Sequence, residues 1–177
     1  MQIRRVVTGI TSDGKAVFAS DELVDAISPA LTPGFEFHRL WGSDTAPTLP
    51  DDGAPRPSMT YFPSPAGYRF GLFTLPPDSQ ASLPPDLDIA AALEDMERGL
   101  PGMAAHMEPD NPGMHTTDTI DYEYIVSGRV ILELDDGATV ELGPGDTVVQ
   151  NGTRHAWRNP FDEPCQMVAV LIGATRT

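Results

Sequence analysis

The last third of the chain alternates between apolar and polar residues in short segments, which is typical of half-buried β-strands. The predicted strands are residues 122–126, 129–134, 139–142, 146–150, 155–158 and 167–172. A turn signal such as Ser127-Gly128 or Asn159-Pro160 lies at each junction. The strands recur about every 8–12 residues, and this spacing predicts an antiparallel barrel or jelly roll.

The earlier part of the chain contains fewer regular elements. Residues 3–8 and 15–19 are β-prone and are joined by a Ser-Asp-Gly turn, so they predict a β-hairpin. Two further strands are predicted at residues 35–41 and 68–75. The hairpin has no nearby strand to pair with, and its open edge favours a homodimer in which residues 3–19 extend a sheet.

One helix is predicted at residues 86–99, with Asp86 as its N-terminal cap and Gly99 at its end. The prolines in residues 42–67 are too dense for a regular element, because each one lacks a backbone N–H donor. We therefore expect an irregular segment there, which together with the helix would cover the mouth of the barrel.

The charge of the chain excludes several classes of partner. Its 177 residues include 26 acidic and 11 basic side chains, giving a formal net charge of −15. Such a chain is a poor ligand for nucleic acid or for an anionic membrane surface. No apolar run approaches the ~20 residues that span a bilayer, and no signal-peptide pattern is visible, so we expect a cytoplasmic protein. The single cysteine, Cys165, excludes an intramolecular disulfide.

Candidate chemistry is concentrated in residues 115–157. Side chains alternate along a strand, so Asp121 and Glu123 share a face with the apolar Ile125 and are predicted to point into the barrel. Two inward carboxylates require a compensating cation or a bound proton. A divalent metal held by two imidazoles and one carboxylate would supply that charge and keep open positions for chemistry, and His115 and His155 are the available imidazoles.

The spacing of these residues follows two motifs. The first is G-x5-H-x-H-x3,4-E-x6-G, in which Gly128 takes the last glycine, Asp121 the glutamate, Thr117 the second histidine and His115 the first. The second is G-x5-P-x-G-x2-H-x3-N, which is matched without its proline and with one residue fewer before the middle glycine. Its matching residues are Gly145, Gly152, His155 and Asn159.

These paired motifs resemble those of the cupin superfamily, in particular the small single-domain bacterial cupins. The resemblance implies an all-β fold, a double-stranded β-helix or jelly-roll barrel, here with an N-terminal hairpin extension and one short helix. We place the barrel at residues 66–177. Residues 1–65 would form the hairpin and a Pro-rich extension that packs on the barrel.

The resemblance also implies a metal site, with two departures from the usual three histidines and one glutamate. Thr117 replaces the second histidine, and Asp121 replaces the glutamate. The implied ligands of one divalent ion (Fe, Mn, Zn or Ni) are therefore His115, Asp121 and His155. Glu123 is either a fourth ligand or a catalytic base beside the metal. Cupins with depleted motifs sometimes bind no metal, so a metal-free barrel is the alternative.

The predicted function is that of a metal-dependent cupin enzyme acting on a small organic molecule inside the barrel. Isomerase, cyclase, lyase, dehydratase and oxygenase chemistry are all open, because the fold does not choose among them. Thr117, Trp157 and Met114 are the candidate substrate contacts. The alternative function is a non-enzymatic cupin that binds or senses a small molecule. The two inward carboxylates favour the enzyme, because a passive apolar binder has little need for them.

Overall fold

The computed structural model describes residues 1–56 and 60–177, and strands dominate it. Its helix is α1 (Ile89–Gly99). The strands are β1 (Ile3–Ile10), β2 (Ala16–Val24), β3 (Glu36–Ser43), β4 (Tyr68–Leu75), β5 (Thr119–Ser127), β6 (Val130–Glu133), β7 (Thr139–Leu142), β8 (Thr147–Asn151), β9 (Ala156–Arg158) and β10 (Cys165–Gly173). The predicted all-β barrel architecture is confirmed.

Two antiparallel sheets enclose the core. The larger has the strand order β3-β4-β10-β5-β8, and the smaller has the order β7-β6-β9. The core between them takes its apolar side chains from both sheets. These are Leu75, Ile125, Cys165 and Met167 from the larger sheet, and Val130, Leu132 and Leu142 from the smaller one. The apolar face of each sheet is thus buried against the other.

Burial alternates along the central strands as the sequence pattern requires. In β10 the buried residues are every second one from Cys165 to Leu171. In β5, Asp121 and Glu123 lie on the same buried face as Ile125. The prediction that both carboxylates point into the barrel is therefore confirmed.

The N-terminal hairpin is confirmed as a separate two-stranded sheet of β1 and β2. It lies against β3, where Arg5 donates to the carbonyl of Leu40 at 2.7 Å and its guanidinium stands 5.3 Å from the Trp41 ring centroid. Because β3 pairs with β4, the five-stranded sheet takes strands from both sides of residue 65. The division of the chain at that residue stays a prediction.

The Pro-rich segment also packs on the hairpin. The backbone N–H of Ile10 donates to the carbonyl of Asp51 at 2.8 Å. At Gly9 a Cβ atom would lie only 2.1 Å from the carbonyl oxygen of Asp52, so the close approach of the two backbones requires glycine there. A motif glycine has a similar role, since Gly128 adopts a φ of +71° against the carbonyl of Pro164.

The predicted N-terminus of the helix is wrong by three residues. The helix begins at Ile89, and its cap is Asp88, whose carboxylate accepts from the N–H of Ala91 at 3.1 Å. Asp86 lies in the turn that follows the two prolines at 84 and 85, too early to reach the first free N–H groups. Within the described ranges, no helix has the length and apolar character needed to cross a membrane.

The motif residue Asn159 ties the end of β4 to the loop before β10. It is fully buried, and its side-chain amide donates to the carbonyls of Leu75 at 3.2 Å and Glu163 at 2.9 Å. Its Oδ1 accepts from the N–H of Phe161 at 3.1 Å. The last residue of the second motif, Asn159, therefore stabilises the fold through its hydrogen bonds to the backbone.

We expect Asn159→Ala to lower the free energy of unfolding by about 2–4 kcal/mol, because a buried side chain is truncated and three backbone groups, one of them in a buried hydrogen bond, lose their partner. Urea unfolding followed by circular dichroism measures this change. The matched control is Asn151→Ala at the exposed end of β8, which should change stability by less than about 0.5 kcal/mol. Equal effects of the two substitutions would contradict the role assigned to Asn159.

Candidate functional site

Two histidines that are distant in sequence lie side by side. The backbone N–H of His115 donates to the carbonyl of His155 and the reverse bond also forms, both at 2.9 Å. This bridge places the two imidazole centroids 4.2 Å apart, with the ring planes tilted by 49°. The structure therefore brings together both histidines that the motifs identify.

The hydrogen bonds of the two imidazoles fix their tautomers. Nδ1 of His115 lies 2.9 Å from the carbonyl of Gly113, and Nδ1 of His155 lies 3.0 Å from the carbonyl of Thr153. Because a carbonyl only accepts, each Nδ1 carries the hydrogen and each Nε2 carries the lone pair. A backbone carbonyl that orients Nδ1 in this way is a common support for a metal-binding Nε2.

Both imidazoles are neutral at physiological pH. Burial, together with the neighbouring His115, lowers the pKa of His155 to about 4. Burial also lowers the pKa of His115, although the hydrogen bond to Gly113 partly opposes that shift. Neutral imidazole is the form that binds a metal or accepts a proton.

The carboxyl pair is buried with incomplete hydrogen bonding. Asp121 is 5% exposed and Glu123 is 7% exposed. Among the residues that the structure describes, Oδ1 of Asp121 and Oε2 of Glu123 have no hydrogen-bond partner. A buried oxygen without a partner is expensive, so this pair is where a cation, a proton or a substrate group is needed.

Burial shifts the titration of both carboxyl groups upward. Burial and, to a smaller extent, the charge of Asp121 together raise the pKa of Glu123 to about 8. Burial raises the pKa of Asp121 to about 6, where the Thr119 hydroxyl opposes the shift. At pH 7 the pair therefore holds about one proton, mostly on Glu123.

The three candidate substrate contacts lie at different depths. Thr117 is almost fully buried, and its hydroxyl lies 2.8 Å from that of Thr119, so a hydroxyl pair occupies the second-histidine position. Met114 is 1% exposed, directly before His115. Trp157 is half-buried, packs against the core and meets the His155 ring edge-on at 6.2 Å. Their role in substrate binding stays a prediction.

The predicted metal site is only partly assembled. Across residues 1–56 and 60–177, no group of three or more His, Cys, Asp or Glu side chains is arranged to hold a metal ion. The histidine pair is in place, and its lone pairs suit a metal. Neither Asp121 nor Glu123 forms such a group with the histidine pair in the described part of the chain. The donor chemistry fits a divalent ion, and metal binding itself stays a prediction.

Sequence reasoning missed the aromatic residues that cover this interior. Tyr61 and Phe62 belong to the Pro-rich segment, and the N–H of Tyr61 donates to the carbonyl of Pro101 at 2.7 Å. The Phe62 ring stacks 6.1 Å from that of His115. Burial and the charge of Asp121 raise the pKa of the Tyr61 phenol well above its usual range, so this hydroxyl stays protonated. Adjacent aromatics in an otherwise polar, Pro-rich run were the only signal of this role.

The fold and the buried carboxyl pair together describe a small β-barrel with polar side chains in its interior. Residues 104–171 match the family model described as Cupin domain, so this segment of the chain is similar to cupin domains. The predicted resemblance is thereby confirmed.

Curated relatives match a short part of the chain. The Phomopsin biosynthesis cluster protein D of Diaporthe leptostromiformis is 48% identical over 46 residues, which is 26% of this chain and 24% of that protein. The Oryzines biosynthesis cluster protein J of Aspergillus oryzae is 41% identical over 49 residues, or 28% and 27% of the two chains. The chain thus spans about a quarter of the length of the curated relatives that it matches.

Solved structures match a larger share of the chain at low identity. The polyketide cyclase RemF from Streptomyces resistomycificus is 16% identical, with a TM-score of 0.45 and coverage of 87% of this chain and 82% of its own. A cupin 2 conserved barrel domain protein from Salinispora arenicola is 21% identical, with a TM-score of 0.43 and coverage of 83% and 82%.

We expect Glu123→Gln to be more stable than the wild type at pH 8, and to lose that advantage at pH 5. Because the pKa of Glu123 is raised in the folded state, the protonated carboxyl does not destabilise the fold below the ordinary pKa near 4.5. As the pH rises toward 8, the folded protein resists losing this proton, and the free energy of unfolding of the wild type falls. The amide carries no such penalty. Urea unfolding in the presence of a chelator should show a difference in unfolding free energy that grows by about 2–4 kcal/mol between the two pH values.

The matched control for this experiment is Glu94→Gln, on the exposed face of α1. It should show the same stability difference from the wild type at both pH values. A pH-independent effect of Glu123→Gln would mean that Glu123 is not a buried, proton-bearing group.

Proposed function

We propose that this chain is a metal-dependent cupin enzyme that acts on a small organic molecule inside the barrel. The observation that carries the proposal is the buried pair Asp121 and Glu123, each with an oxygen that lacks a partner in the described residues. Burying two carboxyl groups without full hydrogen bonding lowers the stability of the fold. A bound cation and a bound substrate would supply the missing partners.

The residues proposed to hold the metal are His115, His155 and Asp121. Both imidazoles present their lone pairs at Nε2, because their Nδ1 atoms face backbone carbonyls. Asp121 would supply the carboxylate, giving two histidines and one carboxylate with open positions. A divalent ion, Fe, Mn, Zn or Ni, would polarise a carbonyl or enolate oxygen of the substrate at such a site.

Glu123 is proposed to move the proton. Its raised pKa, about 8, lies close to neutrality, so it can both give and take a proton at the pH of the cell. Tyr61 and Phe62 cover the interior and exclude water, which strengthens the electrostatic interactions of the carboxyl pair. This arrangement suits isomerisation, cyclisation, dehydration or lyase chemistry, with an oxygenase as the further option if the metal is iron.

The second candidate is a non-enzymatic cupin that binds or senses a small molecule. The observation in its favour is that the described residues contain no assembled group of three metal ligands. A metal-free protein that retains an apolar ligand through purification would favour this candidate.

We expect protein purified without chelator to contain about one divalent ion per chain, and His155→Ala to lose most of it. His155 supplies one of the two imidazole ligands, and two remaining ligands hold a metal weakly. Elemental analysis of the dialysed proteins measures the metal content. The control is His106→Ala, because this half-buried histidine bonds the carbonyl of Thr116 and lies outside the proposed ligand set.

Full metal retention in His155→Ala would overturn the ligand assignment. Glu123→Gln in the same series separates the two roles of that residue. Retained metal with lost turnover, once a substrate is known, identifies a base, whereas reduced metal content identifies a fourth ligand. Retention of both metal and turnover would remove Glu123 from the mechanism.

We further propose that the protein is a homodimer that uses the N-terminal hairpin. The hairpin exposes apolar side chains, including Phe18 at 80%, Val6 at 46% and Val17 at 39%. Exposed apolar groups clustered on one element mark interaction surfaces. The strands β1 and β2 also form a sheet of their own.

We expect Phe18→Ser to convert the dimer largely to monomer, since it removes the most exposed of these side chains. Multi-angle light scattering at several concentrations measures the mass. The control is Leu49→Ser, because Leu49 is 86% exposed but lies in the Pro-rich segment. An unchanged mass in Phe18→Ser, or a monomeric wild type, would contradict this proposal.

A further inference from the structure

The outer face of the five-stranded sheet carries rows of apolar side chains. Directly paired residues project from the same side of a sheet, and the even-numbered residues of β5 project away from the carboxyl pair. The central outer row runs from β4 to β8 and consists of Phe70, Val170, Tyr122 and Val149. The next row consists of Leu72, Val168, Tyr124 and Thr147. The back of the strand that holds the carboxyl pair therefore belongs to an apolar surface.

The N-terminal hairpin covers the β3 end of both rows. Trp41 pairs with Phe70 in the central row, and the guanidinium of Arg5 stands over the Trp41 ring. His38 belongs to the next row and is buried, and its Nε2 bonds the carbonyl of Met1 at 2.7 Å. The hairpin thus forms a second layer above β3.

Beyond the hairpin the same rows are open to solvent. Tyr122, Tyr124 and Val149 are 49%, 48% and 56% exposed. We call the outer face of β10, β5 and β8 the outer patch. It lies one layer below the free side of the hairpin, because stacked sheets are about 10 Å apart. The molecule therefore presents a raised hairpin beside a lower apolar patch.

The outer patch carries no charge of its own. Among the described residues that project from these three strands on that side, none is acidic or basic, and the polar ones are amides and a hydroxyl at the borders. The outer face of the smaller sheet is different, since Ile131 pairs there with Glu141 and Arg158. A chain with a formal net charge of −15 approaches a second copy most easily where carboxylates are absent.

The free side of the hairpin matches the patch in character. Val6, Phe18 and Leu23 project from this side and are exposed. Arg4 and Asp21 lie among them and neutralise each other through two hydrogen bonds of 2.8 Å and 2.7 Å. This side therefore offers a second copy an apolar surface without net charge.

The area that a stable dimer buries favours a second copy as the occupant of the outer patch. A hairpin of this length covers roughly 25 Å by 10 Å, about 250 Å², whereas a stable dimer buries about 800 Å² per partner. The patch adds roughly 15 Å by 20 Å, about 300 Å². Hairpin and patch together approach the standard size once the relief of the side chains is included.

We infer that the outer patch is the docking surface for the hairpin of a second copy of this chain. The inference rests on the homodimer proposed above and names the surface that receives the hairpin. In a two-fold arrangement each hairpin lies on the patch of the other copy, so the contact is made twice and the assembly closes. Each copy then covers the back of β5 in the other, behind Asp121 and Glu123.

Charged substitutions in the patch test this inference. Tyr122→Glu and Val149→Glu should each weaken the dimer at least about 100-fold, because a carboxylate would be buried in the interface without a partner. Multi-angle light scattering of the full-length protein over a range of concentrations measures the mass. The matched control is Leu93→Glu on α1, which is 44% exposed and lies outside the patch, and it should stay dimeric.

Cross-linking identifies the occupant of the patch. The single native cysteine, Cys165, is buried, so an introduced surface cysteine is the accessible one. Chains with Phe18→Cys, mixed with tagged chains with Tyr124→Cys, should be joined by a short bismaleimide into a species of twice the chain mass. The control mixture contains Phe18→Cys and Leu93→Cys and should give much less of this species.

Circular dichroism checks that each variant is folded, and Val149→Glu decides the outcome if Tyr122→Glu fails to fold. An unchanged dimer mass in a folded patch variant would overturn the inference. Dissociation of Leu93→Glu would overturn it as well, because the effect would then be one of net charge. Equal cross-linking in the two mixtures would reject the hairpin as the occupant.

The Phe18→Ser variant separates this inference from the proposed homodimer. A monomeric Phe18→Ser together with dimeric patch variants would reject the docking surface and retain the homodimer through the hairpin. A wild type that is monomeric at every concentration would reject both proposals. Monomeric Phe18→Ser and monomeric patch variants, with a dimeric wild type, are the result expected.

Discussion

The burial of two carboxyl groups on one strand is the constraint on which the interior of this barrel depends. Asp121 and Glu123 replace apolar side chains on a face that otherwise belongs to the core, as Ile125 on the same strand shows. Burial raises the pKa of both groups, so the pair reduces its charge by holding a proton. A core built for stability alone would place apolar residues there. The pair therefore indicates a site that is completed by something the barrel binds.

The barrel also contains a histidine pair, a hydroxyl pair and a buried phenol. The histidine bridge places two neutral imidazoles with oriented lone pairs beside each other. The Thr119 hydroxyl lies 2.8 Å from that of Thr117 and forms a hydrogen bond with Asp121. Tyr61, from the Pro-rich segment, brings a protonated hydroxyl and an aromatic cover. Carboxyl, imidazole and hydroxyl groups are thus buried or half-buried in one barrel, which is the setting that the proposed proton transfer requires.

Much of this was predictable from local patterns. Strand alternation placed Asp121 and Glu123 inward, and the motif spacing selected His115 and His155, which the structure shows in contact. These predictions succeeded because side-chain direction in a strand has a fixed period and because the motif residues lie within one domain. The prediction of the helix start was wrong because two aspartates, Asp86 and Asp88, follow the prolines. Only the geometry of the first turn shows that Asp88 is the cap.

The missed residues share a different cause. Tyr61 and Phe62 come from a part of the chain that is far from the motifs in sequence. Their placement depends on the pairing of β3 with β4 and on the contact between Tyr61 and Pro101. Neither contact leaves a periodic signal in the sequence.

The most direct test of the account is ¹⁵N NMR of the imidazole groups in chelator-treated protein, before and after one equivalent of Zn²⁺. We expect His115 and His155 to be neutral, with the hydrogen on Nδ1, and their Nε2 resonances to shift on zinc addition while those of His38 and His106 do not. Unchanged Nε2 resonances of His115 and His155 at full zinc occupancy would contradict the account, as would a hydrogen on Nε2 of either residue before zinc is added.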